Sequence, residues 1–305
     1  MKRIFFAILA ACLMTTTAHA REVITINSYT GPGSSINNFY RRIIDQANQD
    51  QNQYQFVIVP RPGAQGFMAL QNMDQEPADR LAMISAGFVD LYFTDKIKKD
   101  DYIPVSSAGN SCWVVITNLG DTRRGAGSLR GQREILVGTV AKGSSAHLTG
   151  LIMGEKLGFK ADAVMFKSNV EALMLMASDG SVNMVVETPA NYLNWRDRKV
   201  PLNGIGINCP VRNPKVPDIK TMQEQGFDVP SIWAFIVANK AMPEEKRKNI
   251  SRILDQAMKQ IGADQIFQQF DYQLPSMLGQ TTEQHYRHSL DQIERLRKRF
   301  ANDIK

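Results

Sequence analysis

Two stretches of the chain combine glycine, serine and a helix start in an order suited to binding anions. The first is Gly138–Leu157, GTVAKGSSAHLTGLIMGEKL. It follows Ile135-Leu136-Val137, an apolar run that reads as a buried strand, and turns through Lys142-Gly143-Ser144-Ser145. Leu148, Leu151, Ile152 and Glu155 then mark the faces of a helix. Ser144 and Ser145 are good N-cap residues. The first N–H groups of such a helix have no intrahelical acceptor, and its dipole favours negative charge. His147 stands in the first turn after the loop. It can donate to a ligand or simply cap and pack, and its place at a helix start favours the ligand role. The second stretch repeats the arrangement. Val23–Ile26 reads as a strand and Thr30-Gly31-Pro32-Gly33-Ser34-Ser35 as a Gly/Ser turn. Ile36, Phe39, Tyr40, Ile43, Ile44 and Ala47 then recur at helical spacing. Two such units, far apart in sequence, are expected to aim two helix N-termini at one cleft.

Other chemistry is sought without success. There is no G-x-S-x-G elbow for a serine hydrolase and no G-x-x-x-x-G-K-[ST] phosphate loop. Gly204-Ile205-Gly206 lacks the third glycine and the helix start of a dinucleotide fingerprint. His285 and His288 are three apart on a helix, but two ligands make a poor zinc site. No catalytic residue, metal or cofactor is therefore expected. Cys112 and Cys209 can pair in an oxidising compartment. Free cysteine is also among the most buried residue types, and that reading, two unpaired thiols, is the one favoured.

The elements that would position these loops alternate. Strands are expected at 55–59, 81–84, 135–140, 163–166, 182–186 and 204–207, with extended segments at 103–105 and 113–117. Helices are expected at 67–73, 147–157, 169–177, 190–197 and 219–225, and the segment 88–101 is ambiguous. Asp121–Gly131 is polar and aperiodic, suiting a crossover between domains. Its Arg123-Arg124 pair reads as a solvated loop more readily than as a partner surface. Met174 and Met176 read as core filling. Ser231–Ala238 is an apolar strand suited to the return crossover. Pro243-Glu244-Glu245 opens a helix, and Thr281-Thr282-Glu283 opens the last one. Tyr286, Leu290, Ile293, Leu296 and Phe300 form the buried stripe of that last helix, with the basic run Arg295–Arg299 on a solvated face. The fold class is α/β: two doubly wound α/β domains with parallel sheets covered on both faces. The division is 1–20 as a signal peptide, 21–117 plus 236–305 as domain 1, and 118–235 as domain 2.

Composition agrees with a globular chain: 305 residues, 43% hydrophobic and 22% charged. Lys2-Arg3, the apolar run Ile4–Leu13 and Ala18-His19-Ala20 match a secretory signal cleaved after Ala20. Lipidation at Cys12, after Leu9-Ala10-Ala11, is the weaker alternative because the apolar run before it is very short. Loss of Lys2 and Arg3 lowers the formal net charge from +6 to +4. So mild an excess requires neither nucleic acid nor a membrane surface.

The ordered motifs resemble those of the periplasmic solute receptors of tripartite tricarboxylate transporters, the Bug family. They are Pro32-Gly33-Ser34-Ser35, the R-P-G-A-x-G loop of Arg61–Gly66, the G-x-S-x-H loop of Gly143, Ser145 and His147, and the V-P-D-[IV]-x-T stretch of Val216–Thr221 followed by Trp233. The resemblance spans the mature chain. It implies a two-domain receptor of the type II periplasmic-binding-protein kind, closing like a flytrap on a carboxylate. Matching contact positions are Gly33, Ser34, Ser35, Ser85, Ala86, Gly143, Ser144, Ser145, His147 and Glu187. It implies a monomer that hands a small carboxylate solute to the membrane subunits of a tripartite transporter in the periplasm. Two positions depart from the family. Asn37 and Asn38 stand near the aspartate that usually closes the first loop, and Glu187-Thr188 replaces an aspartate and asparagine. A glutamate facing the cleft would repel a bare carboxylate and suit an amino-bearing one. The alternatives are an exported sensor of the same fold serving signalling, or a nucleotide- or phosphate-using α/β enzyme.

Overall fold

A computed structural model describes residues 20–304 except 86, 89, 90, 92–94 and 231. The signal segment, with the Cys12 alternative, and the site candidate Ala86 lie outside the described residues. The chain builds two mixed sheets. In the first, β1 (Glu22–Ser28) lies between β2 (Tyr54–Pro60) and β3 (Arg80–Ser85), parallel to both. β10 (Ile232–Asn239) runs antiparallel between β3 and β4 (Tyr102–Ser111), and β11 (Tyr272–Gln273) closes the edge on β4. In the second sheet β6 (Glu134–Thr139) pairs in parallel with β7 (Lys160–Met165) and β8 (Met184–Glu187). β5 (Val114–Thr117) pairs antiparallel with β8 and with β9 (Asn203–Ile207). The expected all-parallel sheets are thus corrected: each sheet takes up one strand that enters from the other half of the molecule and must run against its neighbours.

The helices are amphipathic where the sequence is. α1 (Ser35–Asp50) buries Ile36, Phe39, Tyr40, Ile43, Ile44 and Ala47 against the first sheet, beside α6 (Glu244–Ile261) and α7 (Ala263–Phe270). α4 (Asn169–Ser178) and α5 (Pro189–Asp197) cover one face of the second sheet. The opposite faces of both sheets share one continuous core. α2 (Phe67–Gln75), α3 (Ser145–Leu157) and α8 (Thr282–Arg299) contribute Leu70, Leu148 and Ile293 to it. The α8 stripe of Tyr286, Leu290, Ile293, Leu296 and Phe300 lies wholly in that core, so α8 fastens one sheet to the other.

Several expectations are revised. Residues 219–225 form turns with a single bridge from Ile207 to Thr221, not a helix, because Gly226 ends the segment after barely one turn. Residues 122–129 form a 3₁₀ segment kinked at Gly125 and packed on β9, so they are not a crossover. The actual outward crossing is Cys112–Trp113, since β5 already belongs to the second sheet; the boundary expected at 117 falls inside that sheet. The return crossing ends before β10, which pairs entirely within the first sheet. β4 extends through Ser106–Ser111, a stretch too rich in small polar residues to read as a strand. Met176 fills core, but Met174 is 52% exposed. Cys112 and Cys209 are paired, with Cα atoms 4.9 Å apart, contrary to the favoured reading of two thiols.

Candidate functional site

Strand direction decides which groups meet. β1 and β3 end at Ser28 and Ser85, and antiparallel pairing brings Ala234, Ser111 and Tyr272 to the same edge of the first sheet. β6 and β8 end at Thr139 and Glu187, where Val114 and Ile207 join them on the second sheet. The chain leaves the first edge at Ser111 and enters the second at Val114. The two carboxyl-end edges are therefore joined by two residues, which makes them the walls of one crevice, where open α/β sheets bind ligands.

On the first wall, Ser34 caps α1: its hydroxyl accepts the Asn37 N–H at 3.3 Å and lies 2.7 Å from the Thr30 hydroxyl. Asn37 is buried and its side-chain amide donates to the carbonyls of Thr30 at 3.0 Å and Gly31 at 2.6 Å. An aspartate cannot donate to a carbonyl, so the departure at Asn37 gives the loop a clasp of its own. Gly33 sits at φ 86° and, with Ser35, is exposed at the loop tip. Ser85 faces the buried Tyr29 hydroxyl, whose pKa rises because burial disfavours the phenolate. The Tyr272 hydroxyl faces Ser35 and Ser111, and burial raises its pKa too.

On the second wall, Ser144 caps α3 by accepting the His147 N–H at 3.4 Å. His147 is only 1% exposed. Its Nδ1 accepts the Gly143 N–H at 3.0 Å, and its ring also bonds to the Ala161 backbone. Burial, then Lys142, lower its pKa, which favours the neutral ring. The imidazole thus shapes the loop from behind. Gly143 has φ 72°, and its carbonyl accepts Arg297 Nη1 of α8 at 3.3 Å. The basic run is therefore not purely solvated: Arg297 reaches this loop and Arg299 pairs with Glu155. Ser145 is buried at the helix start. Because each cap serine takes the third N–H of its helix, the first two, of Ser35 and Ile36 and of Ser145 and Ala146, point past the cap.

Glu187 is 3% exposed at the end of β8. Its Oε1 accepts the Thr188 N–H at 2.7 Å, at the start of α5, which Thr188 itself caps. Burial raises its pKa, and the hydrogen bonds from Thr188 and Asn191 oppose that rise. Its carboxylate is thus engaged with its own turn. Residues at these edges that the sequence reading did not single out are Tyr29, Tyr272 and Trp113, whose Nε1 donates to Ser111 at 2.7 Å. Tyr272 follows a helix too short to stand out by periodicity. His285 is committed to Ser107 at 2.8 Å and Asn110 at 2.9 Å, which takes both ring nitrogens from any metal shared with His288.

The comparisons agree with this fold. The fold matches the periplasmic binding protein BugD at 14% identity and TM-score 0.71, covering 92% of this chain and 97% of that one. MatC from Rhodopseudomonas palustris, with malate bound, matches at 16% identity and TM-score 0.66, covering 90% and 98%. A second R. palustris protein, with adipate bound, matches at 17% and 0.69, covering 92% and 96%. No curated protein sequence matches. Among the described residues no helix is long and apolar enough to cross a membrane. The family model described as tripartite tricarboxylate transporter family receptor matches residues 130–301, more than half of the chain, and the protein belongs to that family of periplasmic solute-binding receptors.

Proposed function

We propose that this receptor captures a small carboxylate in the crevice between its two sheets and delivers it to the membrane subunits of a tripartite transporter. The observation that carries the reading is the pair of serine-capped helix starts, at Ser34 and Ser144, one on each carboxyl-end edge. Each offers first-turn amides to an anion without placing a bare charge there. The carboxylates held by structurally similar proteins, malate and adipate, support the same class. The contact set is Gly33, Ser34, Ser35, Ser85, Gly143, Ser144 and Ser145, joined by Tyr29 and Tyr272. His147 and Glu187 hold the second wall in shape. Binding draws the two units together about Cys112–Trp113 and the return crossing, because contacts to both walls exist only when the crevice narrows. No bond is made or broken, the chain acts as a monomer, and export follows cleavage after Ala20.

The test is a thermal-shift screen of residues 21–305 against di- and tricarboxylates, amino acids, aromatic acids and nucleotides. A ligand at a hundred times its dissociation constant stabilises by about 2.7 kcal/mol, a shift of a few degrees. Turnover of any hit, or stabilisation by nucleotides alone, would overturn the reading.

A further inference from the structure

A groove of about 540 Å³ lies at the far end of the second sheet from the crevice. Gly204 and Ile205 of β9 line it, whereas the crevice end of that strand is Ile207. The C-terminal end of α3 lines it as well; the thirteen residues of that helix put it roughly 20 Å from the Ser144 cap. Its walls carry Arg123, Arg124, Arg130, Lys156 and Lys220 against only two acids, Asp218 and Glu224. Glu224 already holds Arg212 at 3.0 Å and the Thr221 N–H at 2.6 Å, and Arg123 is paired with Asp121. Arg124, Arg130 and Lys220 have no ion-pair partner among the described residues. The platform beneath them is cross-linked by hydrogen bonds. Gln225 Oε1 accepts the Ala126 N–H at 2.7 Å while its Nε2 donates to Ile205 O at 3.0 Å. One side chain thus clamps the kinked 122–129 segment, β9 and the 219–226 turn together. Lys156 is tied to the Gly226 carbonyl and lies 5.0 Å from the Phe227 ring centre.

We propose that this groove docks an acidic segment of a partner protein. The cations are exposed and spread over three separate stretches of chain, an arrangement that suits several spaced carboxylates better than one small anion. A run of carboxylates along an extended segment can reach several at once. Exposed charges of this kind raise association rate more than lifetime, which suits a partner that must be met and released. The transporter's membrane subunits would bear the segment, and that identity rests on the function proposed above; the groove's own preference is tested without it.

The experiment is fluorescence anisotropy of a labelled deca-glutamate peptide with residues 21–305 at low salt. The expected result is saturable binding that weakens between about 50 and 200 mM salt and falls about tenfold or more in R124E/R130E/K220E. The control R41E/R42E, exposed on α1 of the other unit, should bind as the parent does. Carboxylate binding in the crevice and the melting temperature should be unchanged in both variants, which separates failure of this proposal from failure of the receptor reading. No binding by the folded protein, equal loss in R41E/R42E, or displacement by inorganic phosphate or phosphatidylglycerol vesicles as effective as by unlabelled peptide would each overturn it.

Discussion

At the scale of single residues, the loop at Gly143 is a constrained point of the crevice. A Cβ there would lie 2.4 Å from Arg297 Nη1, on a backbone with φ 72°. The Arg297 end can move, but the left-handed backbone cannot relax, so Gly143→Ala should cost about 1–2 kcal/mol. It should also weaken ligand binding; unchanged melting and affinity would show that the loop is not preorganised. Glu187 makes a different prediction. Its raised pKa means that the folded chain holds this proton more tightly than the unfolded one. Stability therefore falls as pH rises from the ordinary glutamate value through the folded one. Glu187→Gln should remove that fall. Because the carboxylate is engaged with Thr188, the variant should keep the parent's preference between amino and non-amino ligands, checked by competition binding. His285 works in the opposite direction of pH. Burial, and then His288, push it down to about 4, so the unfolded chain takes up a proton below about 6.5 that the folded chain refuses until about 4. Stability should drop across that window, by roughly 3 kcal/mol at most. His285→Gln should flatten the decline in melting temperature between pH 6.5 and 4, and an unchanged slope would count against a neutral buried imidazole.

At the scale of elements, both walls depend on how a strand hands over to a helix. Ser144→Ala removes the α3 cap and a contact with Thr139, at a cost of about 1 kcal/mol by the usual size of a cap. The more telling outcome is in binding, because an uncapped first turn no longer presents the Ser145 and Ala146 amides in fixed directions. Carboxylate affinity measured by calorimetry should fall by more than the stability loss alone would bring about. α8 matters for the same site from a distance. Its apolar stripe runs through the core shared by both sheets, and its Arg297 and Arg299 bind the loop and the body of the α3 unit.

At the scale of the whole molecule, the crossing between the sheets carries unusual reinforcement. Cys112 and Cys209, separated by 97 residues, tie the outward crossing to the end of β9. The Cys112 N–H donates to the Asp271 carbonyl at 2.9 Å. The Asp271 carboxylate in turn accepts from Asn213 at 2.8 Å and Lys215 at 3.0 Å. Trp113 and Asn208 exchange backbone and side-chain bonds at 3.0 and 2.6 Å. Closing a loop of this size stabilises by about 4–5 kcal/mol in the chain-entropy view, with about 2–4 typical of measurement. Cys112→Ser/Cys209→Ser should therefore unfold at clearly lower denaturant concentration. An unchanged midpoint would mean that the hydrogen bonds of the crossing hold it unaided.

What the sequence determined by itself was local. The apolar period of α1 and α8, the cap serine at 144, and the loops of Gly33 and Gly143 were legible because neighbouring residues alone set helix faces and caps. What the tertiary structure decided was long-range. The place of His147 at a helix start was legible, but not that its ring bonds Gly143 and the Ala161 backbone. The second half of β4 was hidden because Ser-Ser-Ala-Gly-Asn-Ser is apolar-poor, and it is held in place by bonds from β10 and His285 that no local pattern announces. The antiparallel β5 and β10, and the pairing of Cys112 with Cys209, depend on which distant strands become neighbours. That is fixed only when two crossings, far apart in the chain, are brought together by one core.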